Sequence, residues 1–339
     1  MDKWDEYVQH HPDATPYHCF AWKTAVERTY GHRGYYLMAE ENERVAGVLP
    51  LIHFKPPFST GCFVSLPYCD AGDVLAGNED IKESLILEAV SLACKLKVKY
   101  IELRGRFRKL PVKGLNMPVT VRSHKVRMFL DLPASSAALW EDFKSKLRSQ
   151  IKKAVKNGLE FAWEDIDGLD DFYKVFSRNM RDLGSPVHSK QWFYAVLRHY
   201  GEKAKLGLVY HGKQSIGGGI ILTVDGTVSI PWASTLRDYN SLSPNMLLYW
   251  NLLKFASDNG YAGFDFGRST PNEGTYKFKA QWGAQPLPLH WNYIPINSKG
   301  LNFDISGSAR REQIERLWQN LPLKMANCIG PAIRKHISL

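Results

Sequence analysis

The chain repeats itself, and that repeat limits its possible folds more than any other feature. Displacing the sequence by 170 residues sets Trp22 on Trp192, Ala25 on Ala195, Val26 on Val196 and Arg28 on Arg198. Tyr30-Gly31 then falls on Tyr200-Gly201, and Gly47 on Gly217. In both places a helical pattern stops at a Tyr-Gly pair and two strand patterns follow, at 35–40 with 45–53 and at 205–210 with 216–224. The offset then drops to about 164, as one shorter loop would cause. There Ser65-Leu66-Pro67-Tyr68 matches Ser229-Ile230-Pro231-Trp232. A helix follows each, at 79–97 and 244–259, and each helix leads into a strand, at 100–106 and 263–268. One register held across several elements marks two homologous helix–β–β–β–helix–β units. That order predicts mixed α/β domains with helices on a central sheet. The expected division is 1–135, 136–305 and a helical tail, 306–339.

At the junction, 136–157 reads as one amphipathic helix. Leu139, Trp140, Phe143, Leu147, Ile151 and Val155 form its apolar stripe, and Lys144, Arg148, Lys152 and Lys156 a basic one. Asn157-Gly158 supplies the stop. A basic stripe is either a solvated face or a phosphate-contacting one. Arg104, Arg106, Arg108 and Lys109 form a second basic cluster with the same two readings. The net charge of +10 favours anionic partners. Five cysteines without a CxxC pair argue against a disulfide framework or zinc site and suit a reducing cytoplasm. No HExxH spacing occurs among the histidines, so no metal is expected. The amino end shows no signal-peptide pattern, and no apolar run is long enough to span a bilayer. The end of the chain, 321–339, mixes apolar and basic residues. It is expected to pack back on the first domain or to rest on a membrane surface.

The densest chemistry lies at 265–283. Phe264 to Phe266 end a strand, Thr270 with Glu273 reads as a capping box, and Pro271 suits a first helical turn. A helix from 271 to 282 stopping at Gly283 would carry Tyr276 and Lys279 on one face. Strand ends of α/β sheets gather sites, so Asp265, Arg268, Tyr276 and Lys279 can converge at one crevice. The structural alternative is a strand–turn–helix with solvated lysines.

The run Phe278-Lys279-Ala280-Gln281-Trp282-Gly283 resembles the FK-x-x-W/F-G signature of FemAB-like proteins, with Arg268 ahead of it in a matching Asp-Phe-Gly-Arg-Ser context. The basic run Trp140 to Gly158 is similar to the family's interdomain helix. The stretch Ile230-Pro231-Trp232-Ala233-Ser234 through Ser243-Pro244-Asn245 to Trp250 resembles the branch associated with exosortase (PEP-CTERM) and exopolysaccharide loci. The resemblance spans about 10 to 300. It implies two tandem GCN5-related N-acetyltransferase-like domains with a cleft between them, and transfer of an aminoacyl or acyl group to an amine. The implied acceptor is a phosphorylated or lipid-linked precursor of the cell envelope or an exopolysaccharide. The implied place is the cytoplasm or the inner face of the membrane.

The donor stays open between aminoacyl-tRNA and acyl-CoA, and no bound cofactor is expected. Pyrophosphate of acetyl-CoA normally meets free N–H groups of a Gly-rich loop at a helix start. The loop from Ala233 to Asn245 has no glycine, and Pro244 removes one N–H. The other copy, Cys69-Asp70-Ala71-Gly72-Asp73, is acidic and repels phosphate. On this reading Lys279, Asp265 and Tyr276 are the catalytic candidates. Lys279 would stabilise the tetrahedral oxyanion, and Asp265 would orient or deprotonate the amine. Arg268, Arg148, Lys152, Trp232, Asn245 and Tyr68 are the substrate-binding candidates. Other readings remain: an acyl-CoA-dependent enzyme acting on an amino sugar, or a non-catalytic binding module.

Overall fold

The computed structural model describes residues 2–105, 110, 112, 117–296 and 308–338. In chain order its elements are α1 (Asp2–Gln9), α2 (Phe20–Tyr30), β1 (Arg33–Glu41), β2 (Arg44–Phe54), β3 (Cys62–Val64), β4 (Leu75–Ala76), α3 (Glu79–Lys95), β5 (Tyr100–Gly105), β6 (Thr120–Arg122) and β7 (Val126–Asp131). There follow α4 (Ser136–Asp142), α5 (Ser145–Lys156), β8 (Leu159–Glu164), α6 (Leu169–Asp182), α7 (Lys190–Tyr200), β9 (Ala204–His211), β10 (Gln214–Val224), β11 (Thr227–Thr235) and α8 (Pro244–Asp258). The last are β12 (Gly263–Ser269), α9 (Gly274–Ala280), β13 (Gln285–Pro288), β14 (His290–Pro295), α10 (Ser308–Gln319) and α11 (Leu323–Arg334). No described helix is long and apolar enough to cross a membrane.

The repeat is visible element by element. Helices α2 and α7 share the 170-residue offset, and so do the first strand pairs β1–β2 and β9–β10. Both helices end where a glycine takes positive φ, Gly31 at 71° and Gly201 at 55°, which other residues adopt only under strain. The two helices pack on each other through their repeat-related tryptophans. Trp22 and Trp192 are fully buried and meet edge to face at 5.1 Å, and Trp232 stacks on Trp22 at 6.0 Å. This cluster is one continuous apolar core shared by the two halves. Each sheet also keeps a private core on its outer side, under α3 in the first half and under α5 and α8 in the second.

The sheets do not divide at residue 135. The first runs β1-β2-β3-β5-β14-β6, with β4 beside β2, and the second runs β13-β7-β12-β11-β10-β9-β8. Strand β14, from the end of the second half, lies antiparallel to β5. Strand β7, from the end of the first half, lies antiparallel to β12. Each sheet is therefore completed by a strand of the other half. The pairing of Asp265 with Phe129, and of His290 with Gly105, fixes both crossings.

Two local expectations are corrected. The 136–157 helix is two helices, because Phe143 is extended (φ −73°, ψ 137°) and Lys144 restarts the chain as the N-cap of α5. Phe143 turns inward there, while Val155, assigned to the apolar stripe, is exposed. Helix α9 begins at Gly274 with Glu273 as N-cap, so the expected Thr270–Glu273 capping box is not made. The Thr270 hydroxyl instead accepts from Lys125 Nζ. Ser65–Tyr68 is a turn rather than a strand like its counterpart 229–232. The Gly217–Gly219 run lies in β10 beside a bulge, and a Cβ on Gly218 would meet Leu208 at 2.6 Å.

Candidate functional site

The parallel strands β11 and β12 are paired only over Thr227–Ser229 with Gly263–Asp265. Beyond that point β11 stays with β10, whereas Arg268 and Ser269 of β12 pair with Arg127 and Val126 of β7. The strands part at their carboxyl ends, where α/β sheets place their ligands. Asp265 sits at the fork and is buried. Its carboxylate accepts the Gly267 N–H at 2.8 Å, and Arg127 Nε lies 2.8 Å from its other oxygen. That second contact falls outside hydrogen-bond geometry, so it holds by coulombic attraction. With its oxygens so engaged, Asp265 braces the fork, which is a different part from the proton acceptor expected of it.

Gly267 takes φ of 73° and turns the strand end toward α9. Lys279, buried on α9, donates to the carbonyl oxygens of Gly267 at 3.2 Å and Arg268 at 2.8 Å. An ammonium has three N–H donors, so one stays uncommitted among the described residues. Burial lowers the Lys279 pKa to about 8, and the neighbouring Asp70 and Asp265 carboxylates oppose that fall. The motif around it explains the placement. Trp282 is buried against Phe143 at 5.5 Å, and Phe278 packs on Tyr249 at 5.0 Å. These two anchors, one turn apart, hold α9 so that Lys279 faces the fork. Tyr276 shares that side but is half-buried against the apolar core of the second half.

Sequence reasoning missed Asp70, which comes from the other half. Its carboxylate accepts the Arg268 N–H at 3.1 Å and lies 3.4 Å from Arg268 Nε. Its carbonyl accepts from Trp291 Nε1 at 3.1 Å. Trp291, on the exchanged strand β14, carries the guanidinium of Arg268 over its ring at 5.6 Å and that of Arg104 at 4.7 Å. The only sequence signal for Asp70 was its place in the acidic loop 69–73, and its partner is 198 residues away. The loop is fixed from below by His18, whose Nε2 donates to the Asp73 carbonyl at 2.9 Å and whose Nδ1 accepts the Thr15 N–H at 3.0 Å. Full burial pushes the His18 pKa down to about 4, so the ring stays neutral.

Among the described residues, no hydrogen bond or ion pair joins the other candidates to Asp265, Lys279 or Asp70. Trp232 is core, packed against Trp22, Trp192 and Phe193. Tyr68 is buried, with its hydroxyl given to the Lys335 carbonyl at 2.8 Å and its N–H to the Ser338 carbonyl at 2.6 Å. Asn245 is half-buried in the first turn of α8. Arg148 pairs with Glu141 at 3.0 Å, and Lys152 stands exposed with its ammonium over Trp140. Of the second basic cluster, Arg104 is wholly buried, bonded to Glu102 at 2.7 Å and to the Cys69 carbonyl at 2.8 Å. Arg106, Arg108 and Lys109 lie outside the described residues. A depression of about 590 Å³ between Lys3, His10, His11 and Arg44 lies beside α1, and none of the fork residues lines it.

Residues 141–280 match the acetyltransferase (GNAT) domain family. No curated protein matches the chain. Among solved structures, FemX shares the fold with TM-score 0.69 at 15% identity, covering 86% of this chain and 95% of FemX. L-PGS from Bacillus licheniformis gives 0.60 at 11% identity, over 94% of this chain and 97% of its own. The C-terminal domain of a candidate lysylphosphatidylglycerol synthetase from Agrobacterium fabrum gives 0.58 at 10%, over 86% and 90%. With the repeat and the forked strands, these likenesses make the architecture a mixed α/β pair of tandem GNAT-like domains.

Proposed function

We propose that the protein is a FemAB-like N-acyltransferase that moves an aminoacyl or acyl group onto an amine. The observation that carries the reading is the Lys279 ammonium, buried at the strand fork with one donor free and Asp70 and Arg268 beside it. A neutral acceptor amine attacks the ester or thioester carbonyl. The new C–N bond forms, the C–O or C–S bond breaks, and the amine's proton leaves with the departing group. Negative charge grows on the carbonyl oxygen in between. A fixed cation in a dry site stabilises that charge without reorganisation. The aspartate well placed to draw in the acceptor is Asp70 rather than Asp265, because it is partly exposed and not enclosed by the sheet. Arg268 suits a phosphate or carboxylate of either substrate.

Support for an aminoacyl donor comes from the names of the fold neighbours and from the start of α8. Pro244 offers no N–H there, and the Met246 N–H is already given to the Ser243 carbonyl. Little is left to bind a pyrophosphate. The acceptor class in this reading is an amine-bearing envelope or exopolysaccharide precursor, and the finer placement is the exosortase-associated branch. The test is transfer of labelled aminoacyl groups from a charged tRNA pool, and separately of acyl groups from acyl-CoA, to a panel of amino sugars and amine-bearing nucleotide sugars. Lys279→Met should lower turnover roughly 10²–10³-fold, as losing an oxyanion donor does. Lys279→Arg should retain part of it. Wild-type turnover in a folded Lys279→Met protein would remove the role.

A further inference from the structure

Helix α11 is built inside out. Toward the protein it presents Ala326, Gly330, Asn327 and Arg334. Gly330 lets it lie directly on Val187, where a Cβ would stand 3.2 Å from the backbone nitrogen. Asn327 donates to Ser177 at 3.2 Å, and Arg334 Nε to His188 at 3.1 Å. Toward solvent it presents Met325, Ile329 and Ile333, one per turn on one line and 52%, 41% and 42% exposed. Cys328 and Ala332 lie on the same side. An ordinary surface helix buries its large apolar residues and exposes the polar ones. A contiguous apolar face turned outward marks an interaction surface.

A second apolar group lies near the same edge. The loop between β2 and β3, Lys55-Pro56-Pro57-Phe58-Ser59-Thr60, carries Phe58 fully exposed at positive φ (58°). The base of that loop adjoins the end of α11: Phe54 packs on His32 at 4.9 Å, and His32 meets His336 at 6.5 Å and the Lys335 carbonyl at 2.8 Å. Charge selects among possible occupants. From Leu323 to Ser338 there is no acidic residue; Lys324 and Lys335 supply positive charge beside the face, Arg334 being turned inward onto His188, and the loop adds Lys55. Apolar side chains flanked by cations and free of anions suit an anionic lipid surface.

We infer that the outer face of α11 and the Phe58 loop dock the protein on anionic bilayers. Met325, Ile329, Ile333 and Phe58 enter the acyl boundary, and the flanking cations meet the headgroups. This inference does not depend on the catalytic reading, and its test needs no substrate. The full chain, carrying Cys94→Ser and an environment-sensitive dye on Cys328, is mixed with vesicles of phosphatidylcholine alone or with 30% phosphatidylglycerol. Cys19, Cys62 and Cys69 are buried, so the label is selective. Expected are co-sedimentation with the anionic vesicles, a blue shift of the dye and weaker binding at high salt. Phe58→Ser and Ile329→Asp, at exposed positions and with unchanged urea midpoints, should each lower partition at least tenfold. No partition into anionic vesicles overturns the inference. So does partition that Lys324→Glu weakens while Ile329→Asp leaves it unchanged, because the contact would then be charge alone. A concentration-dependent dimer in solution that Ile329→Asp abolishes also overturns it, by assigning the face to a second copy of the chain.

Discussion

Breaking the ion pair between Arg127 and Asp265 tests the crossing of the strands and the bracing of the fork together. The two side chains are 7% and 4% exposed, and they come from strands that belong to different halves of the sequence. Removing one member of a buried pair leaves the other charged without compensation, which costs about 3–5 kcal/mol. Arg127→Met should therefore lower unfolding free energy by about that much. Asp265→Leu alone should be comparably harmful, because it strands the guanidinium. The double variant should recover a large part of the loss, since two apolar side chains of similar volume can replace a buried pair at little cost. Urea unfolding, followed by tryptophan fluorescence, gives the four free energies of the cycle. A coupling of at least about 1.5 kcal/mol is expected, well above the ~0.5 kcal/mol scatter of independent sites. Additive losses would mean that the residues do not meet, and the reasoning that puts β7 in the second sheet would fall with them.

Three further outcomes follow from the same structure. Segments 1–135 and 136–339, expressed apart, should each be insoluble or lack a cooperative unfolding transition, whereas co-expression should restore both; a cooperative 1–135 on its own would refute the exchange. His18, held at a pKa of about 4 against an ordinary 6.5, binds its proton more weakly when folded. Stability relative to His18→Gln is then present above pH 6.5 and lost as pH falls through 4, by about 3 kcal/mol, and a flat difference between the two proteins over that range would contradict it. For Lys279, lowered from 10.5 to about 8, the wild type should gain stability on Lys279→Met as pH rises from 8 to 10.5, by up to about 3 kcal/mol.

Much of the fold was legible because the repeat is local in character. Trp22 and Trp192, the Tyr-Gly helix ends and the hairpins that follow occupy equivalent positions in one register, and each is written in neighbouring residues. The strand exchange was not legible, because β7 and β14 carry ordinary strand patterns that state their two faces and not their neighbours. Residue 143 hid the break in the interdomain helix for a similar reason: the apolar spacing continues across it. Lys279 and Arg268 were readable from their motif. Asp70, Arg127 and Trp291 were not, since each acquires its meaning from a partner far along the chain. Tyr68 and Trp232 were correctly matched to each other but misread in role. What the duplication preserved there is the packing of the central core.

The tryptophan core shared by the two halves has a mechanical consequence. Many two-lobed enzymes open like a hinge to admit substrate, turning about a few linker residues. Here such a rotation would open the apolar core that the two halves share through Trp22, Trp192 and Trp232. Whatever movement admits or releases a ligand at Lys279 must therefore come from the short segments around it, the 69–73 loop and the turn before α9. The jaws themselves stay shut.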